Sequence, residues 1–297
     1  MDIINFIKSK FKSGDALTRI IFINLAVFAV IQTLKIVFVL FNQYSIMPID
    51  ILAAPASMAT FVYKPWTAFT YMFLHEGIFH IAFNMLALYW FGKLFLIYFS
   101  QKQLVGIYII GGLMGFVLFV GAYNLFPYFK PVIQSSILLG ASASIMAIIL
   151  AVAVKSPNME MRFLFIGNVK LKYIAALAVL TSFFSITSSN AGGEIAHLGG
   201  ALTGYFFIVS LQQGRDITAG LNKLIDWVYD LFKPQKLKIK RNTAYTGRKM
   251  TDAEFNQQKA NRMKEIDRIL DKIKTSGYDS LSEVEKKRLF EQGRNGQ

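Results

Sequence analysis

The chain has no cysteine and only three histidines, His75, His80 and His197. The first absence excludes disulfides, a thiol nucleophile and Cys-ligated zinc or iron–sulfur centres. The scarcity of histidine confines any imidazole chemistry to three positions. Charge is sparse as well: 17% of the 297 residues are Asp, Glu, Lys or Arg, against about a quarter in an ordinary soluble domain. A composition that is 54% hydrophobic, with mean hydropathy +0.42, argues against both a soluble enzyme and disorder. The 27 Phe and 13 Tyr suit a chain solvated by lipid. No internal repeat or low-complexity tract is present.

What charge there is leans basic, with a net +14. Residues 1–212 carry 13 Lys and Arg against 6 acids, and residues 213–297 carry 19 against 12. Long apolar runs fill the first part and polar sequence the second, so the clearest boundary lies near Gln212–Gly214. A membrane span needs roughly 20 mostly apolar residues. Six candidates precede the boundary, at about Leu17–Phe41, Phe79–Phe99, Leu104–Leu125, Ile137–Val154, Leu171–Ile186 and Ile195–Leu211. The last three are short and rich in Gly, Ala, Ser and Thr, as suits close helix packing within a bundle. The first is too long for a signal-peptide core and lacks a small-residue cleavage site, so it reads as a retained span.

Six spans put both termini on one side. That side holds Lys8, Lys10, Lys12, Arg19, Lys93, Lys102, Lys155, Arg162, Lys170 and Lys172, and the opposite loops hold Lys64 and Lys130. The excess of Lys and Arg in cytoplasmic loops predicts cytoplasmic termini and explains the basic balance without nucleic acid. The external loop from Asn42 to Gly77 is rich in aromatics and prolines, which places it in the membrane interface.

Ionisable residues inside spans are costly and usually functional. His80 and Asn84 share one face of the second span, four residues apart. His197 opens the sixth, and Ser142 lies at the start of the fourth within "GASAS" (140–144). The second, fourth and sixth spans all run inward. Ser142 to Lys155 and His80 to Lys93 are each 13 residues, roughly 20 Å of helix. His197 lies at a similar distance from Gln212, so three polar residues from three spans match in depth. A serine becomes a nucleophile when a base takes its proton, and His is the usual base. The resulting oxyanion needs donors aimed at it, which a helix-start N–H, an Asn and a second His can supply. No acid lies in the six spans; Glu194 falls just before the sixth. The available arrangement is a Ser–His pair. A transporter gathering Ser, His and Asn at one depth stays open on these residues alone.

The pieces "PWTAFTYMFLHEGIFHIAFNM" (65–85), "GASAS" (140–144) and "AHLGGALTG" (196–204) follow one another on the second, fourth and sixth spans. In that order they resemble the rhomboid family of intramembrane serine proteases, over about residues 17–212. The resemblance implies Ser142 as nucleophile, His197 as general base, and His80 and Asn84 as oxyanion-stabilising residues. It implies Gly140, Gly200 and Gly204 as glycines that hold the spans close. Two positions depart from the family pattern: Thr67 follows Trp66 where Arg is frequent, and Ala143 follows Ser142 where Gly is common. Ser144 becomes a second serine to exclude, and His75 matches no catalytic position. Substrates implied are single-span membrane proteins, cut near the outer end of the span, with no metal or cofactor.

Beyond the boundary, residues 216–232 pattern as an amphipathic helix suited to a membrane surface. Residues 233–249 carry seven Lys and Arg and no acid, which suits anionic headgroups or a solvated linker. Thr251 and Glu254 form a capping box for a helix to about Thr275, with Gly277 ending it. Ser282 and Glu285 cap a second helix to about Phe290. This unit resembles a short C-terminal domain appended to rhomboids of Bacteroidetes-type bacteria.

The expectation is an all-α membrane protein: a six-transmembrane-helix rhomboid-like bundle with a small cytoplasmic helical tail. Its parts are a cytoplasmic segment 1–16, the bundle 17–212, a membrane-proximal linker 213–249 and a helical domain 250–297. Expected partners are single-span substrates, the bilayer and anionic lipids at the tail, with no nucleic acid. The expected location is the bacterial inner membrane. The alternatives are an inactive family member that binds spans without cutting them, and a small transporter or channel.

Overall fold

The computed structural model describes residues 11, 14–43, 47–163, 167–232 and 251–294. The basic stretch 233–249, the first ten residues with Lys8 and Lys10, and Lys12 lie outside the described residues. Two compact units emerge, 1–233 and 234–297.

The first unit is a helical bundle. Helix α1 (Ala16–Leu40) starts where Asp15 accepts the Thr18 N–H at 2.8 Å, an N-cap that satisfies one orphan donor. The loop after α1 then folds into short helices α2 (Pro48–Leu52), α3 (Met58–Phe61) and α4 (Thr67–Thr70), with strand β1 (Ala54–Pro55) between the first two. Helices α5 (Ile78–Tyr98) and α6 (Gln101–Leu125) follow. Strand β2 (Ile137–Leu138) pairs antiparallel with β1 and leads into α7 (Ser142–Lys155). A hairpin of β3 (Glu160–Phe163) and β4 (Gly167–Lys170) precedes α8 (Leu171–Phe184). Helix α9 (Ala191–Gln212) completes the bundle, and α10 (Ala219–Phe232) runs after it.

Of the six apolar helices, α1, α5, α6 and α9 are long enough to cross a membrane, and α7 and α8 have 14 residues each. Fourteen residues make about 21 Å of helix, short of a core about 30 Å thick. The fourth span was expected from Ile137, but its first residues form β2, because a ladder with Ala54 and Pro55 holds them extended. The sixth was expected from Ile195 and begins four residues earlier, after Asn190. That extension puts Glu194 inside the helix rather than ahead of it.

Helix α7 is the centre of the bundle. Nine of its residues are buried, from Ala143 to Ala153, while much of α1 faces outward. The loop is a folded layer rather than a loose strap. Trp66 Nε1 donates to Ile51 O at 2.9 Å, Thr70 Oγ1 to Leu52 O at 2.6 Å, and Thr67 Oγ1 to Lys64 O at 2.6 Å. Thr67 is fully buried, so the position where the family often has Arg is closed by a local hydrogen bond. Beneath the layer, Asn24 Nδ2 donates to Tyr108 Oη at 3.2 Å, and Tyr108 donates to Met72 O at 3.0 Å, joining α1, α6 and the loop. Buried polar groups carry such bonds because an unmade one costs about 1–3 kcal/mol.

The second unit is a helical hairpin. Thr251 Oγ1 accepts the Glu254 N–H, and Glu254 Oε2 accepts the Thr251 N–H, opening α11 (Asp252–Ser276). Gly277, at φ +77°, ends it. Helix α12 (Glu283–Arg294) returns along it, tied by Lys272 to Glu285 at 3.0 Å and by an Arg288–Glu265 ion pair. Among its described residues only Ile269 and Leu281 are buried apolar side chains.

Candidate functional site

Gly140 turns the chain from β2 into α7 at φ +121°, a conformation that L side chains rarely adopt. Its N–H is fixed to Tyr71 O at 2.9 Å, so the loop layer sets where α7 begins. A Cβ at 140 would lie 3.0 Å from His80 Nε2 and 3.7 Å from Ser142 Oγ. The glycine therefore marks a point where the His80 ring and the Ser142 hydroxyl approach the same backbone.

Ser142 is the first residue of α7 and is partly exposed. The first N–H groups of a helix have no intrahelical acceptor, and the helix dipole points their positive end outward. Backbone donors thus lie beside the hydroxyl. Ser144, two residues on, is fully buried, and its Oγ has no partner among the described residues. It faces α6, where a Cβ at Gly112 would lie 2.8 Å from it. The helical turn separates the two serines into one at the edge and one sealed in the bundle.

His197 reaches this region because α9 packs on α7 backbone to backbone. A Cβ at Gly200 would meet Ala143 O at 2.0 Å, and one at Gly204 would meet Ala147 O at 2.2 Å. Any side chain there would force the helices apart. Across the seam, Ala196 O and Ala143 Cβ both press on Gly115 of α6. His197 Nδ1 lies 3.2 Å from Glu194 Oε2 and 3.1 Å from Ser182 Oγ on α8. Among the described residues no hydrogen bond joins Ser142 Oγ to His197.

His80 lies in the first turn of α5. Asn84 is buried one turn further along α5, and its Nδ2 donates to His80 O at 2.9 Å. One of its two amide protons is thus spent on its own helix. His75 is buried beside His80, ring centroids 5.0 Å apart, with neither ring nitrogen hydrogen-bonded among the described residues. Burial first, and then the His80 ring, push its pKa down to about 4, so it is neutral at pH 7. Among the described residues no three His, Asp or Glu side chains gather to hold a metal ion.

The sequence sets Glu194 aside as lying just before the sixth span and gives Ser182 no role. Glu194 was visible at helical i, i+3 spacing from His197, but it was placed outside the helix. Ser182 carried no signal, since its nearness to His197 depends on how α8 folds back.

Comparison with known proteins gives a family. A Rhomboid domain model matches residues 63–213, and a family of unknown function (DUF6576) matches residues 249–295. The presenilin-associated rhomboid-like proteins, mitochondrial, of Homo sapiens and Pongo abelii are each 28% identical over 144 residues. That alignment covers 46% of this chain and 35% of each relative, so the match spans about a third of their length. The Rhomboid model covers just over half of the chain, including Ser142, His80 and His197, and the chain, an integral membrane protein, belongs to the rhomboid family.

Proposed function

We propose that the protein is an intramembrane serine endopeptidase that cuts single-span membrane proteins near the outer end of their transmembrane helix. The observation that carries the reading is the edge of α7. Ser142 stands there at a helix N-terminus, beside His80 across Gly140, with α9 and His197 drawn in by backbone contact at Gly200.

In this reading His197 Nε2 takes the Ser142 proton as Oγ attacks the peptide carbonyl. The oxyanion is met by first-turn N–H groups of α7, His80 and the free amide proton of Asn84. His197 then protonates the leaving amine, and a water activated by His197 hydrolyses the acyl-enzyme. Gly140, Gly200 and Gly204 keep the three helices close enough for this. The substrate reaches the site from the bilayer and water from the external face. The excess of Lys and Arg on one side favours cytoplasmic termini, and the resemblance of the tail to that of Bacteroidetes-type rhomboids favours a bacterial inner membrane. The outward apolar side chains of α10, among them Leu224, Trp227 and Leu231, favour docking on the bilayer, with the basic stretch 233–249 meeting anionic lipid.

Labelling detergent-solubilised protein with a fluorophosphonate tests the reading. Ser142→Ala is expected to abolish labelling and cleavage of a model single-span substrate, while Ser144→Ala keeps both. A wild-type protein that binds single spans yet neither labels nor cuts would instead be an inactive binder of spans.

A further inference from the structure

His197 has two ring nitrogens, and the protease reading, on which this inference rests, uses only Nε2. The other, Nδ1, lies 3.2 Å from Glu194 Oε2 and 3.1 Å from Ser182 Oγ. A carboxylate only accepts, so Nδ1 carries the proton in that pair. Three residues of helix bring Glu194 and His197 onto one face. The carboxylate has a second polar neighbour: Asn190 Nδ2 lies 3.5 Å from Oε1. The side chains of Glu194 and His197 are each 19% exposed, and Ser182 is 2% exposed. The acid is largely buried between the His197 ring and the Asn190 amide.

We propose that Glu194 is a positioning residue that locks His197 in the Nδ1–H tautomer, with Ser182 as a strut from α8. The machinery remains the Ser142–His197 pair, with Glu194 orienting its base from behind. With the proton on Nδ1, the Nε2 lone pair is left for the Ser142 hydroxyl. When Nε2 takes that proton, the imidazolium lies against the carboxylate. The proton later passes from Nε2 to the leaving amine, and Glu194 stays ionised throughout. The charged or titratable groups facing His197 are Glu194 on its own helix and His80 on α5; Ser182 and Asn190 add neutral dipoles.

The test uses full-length protein in detergent with ¹⁵N-labelled histidine. Three histidines make the His197 signals assignable by removing His75 and His80 in turn. Wild type is expected to show the Nδ1–H form. Glu194→Gln, whose amide can donate as well as accept, should populate the Nε2–H form. It should lower kcat by about 10²-fold or more with KM little changed, and remain more active than Ser142→Ala. Glu194→Asp should recover part of the rate, and Ser182→Ala should fall between. An unchanged tautomer in Glu194→Gln and Ser182→Ala overturns the proposal whatever the rates. So does a loss of rate that merely follows loss of melting temperature and is not relieved by Asp. If Ser142→Ala keeps full activity while Glu194→Gln still switches the tautomer, the serine reading fails and the Glu194–His197 pairing stands.

Discussion

The α7–α9 seam and the tail hairpin solve the same packing problem by opposite means. At the seam, Gly200 and Gly204 let one helix rest on the carbonyls of another, with no polar side chain needed at the contact. In the hairpin, caps and ion pairs such as Lys272–Glu285 do much of the holding, around a core as small as Ile269 and Leu281. In lipid, helices gain little from burying apolar surface against each other, so close van der Waals contact between small residues has to bind them. In water, a short hairpin has little apolar area to bury and relies on its polar edges. The residues proposed for the chemistry sit beside the close-packed seam, where ångström placement is available.

The sharpest test of that contrast is Gly200→Val. Its side chain would start 2.0 Å from Ala143 O, with backbone on the other side and no rotamer to escape into. We expect loss of at least the 1–3 kcal/mol typical of overpacking, seen as a large drop in melting temperature and loss of fluorophosphonate labelling. A folded, active variant would show that the seam is looser than drawn.

Next in size are His80→Ala and Asn84→Ala. Removing one oxyanion donor costs about 10²–10³ in kcat where others remain, so both should be impaired rather than dead, with melting largely kept. Asn84 spends one proton on His80 O, which makes it the milder of the two. Total loss at both, together with lowered melting, would assign them to the fold.

Ser144→Ala should do least within the bundle. It removes a fully buried hydroxyl with no partner among the described residues, and deleting an unmet polar group is neutral to stabilising by up to about 1–3 kcal/mol. Differential scanning calorimetry should find an equal or higher melting temperature, and kinetics an unchanged kcat.

The smallest effect belongs to the hairpin. Glu285 has its pKa lowered to about 2, first by the Ser282 backbone N–H, then by Lys272 and the Ser282 hydroxyl. Its ionised form favours the folded hairpin, so that contribution is complete above the ordinary value of 4.5 and fades as pH falls towards about 2. Amide exchange in α11 and α12 of the full chain should quicken over that window, and Glu285→Gln should flatten the dependence. The bundle amides should not respond to the Gln substitution.

The membrane-protein class, the six apolar helices and the caps at Thr251 and Ser282 were legible in the chain itself. They rest on local signals: apolar runs, hydroxyl–carboxylate spacing and the glycine at 277. Depth and resemblance point to the set Ser142, His197, His80 and Asn84 from the sequence alone. Tertiary structure decided what local signals cannot carry. Ile137 and Leu138 read as part of an apolar span, yet a ladder with Ala54 and Pro55 makes them a strand and moves the helix start to Ser142. Ser142 and Ser144 look interchangeable in "GASAS", and only the packing of α6 against α7 buries one and leaves the other at the edge. Glu194 and Ser182 converge on His197 because α9 starts at Ala191 and α8 folds back beside it. Local sequence sets which segments are helical and apolar, because propensity and hydropathy act over a few residues. Which side chains share a hydrogen bond depends on where separate helices pack, and that is settled only when the whole bundle closes.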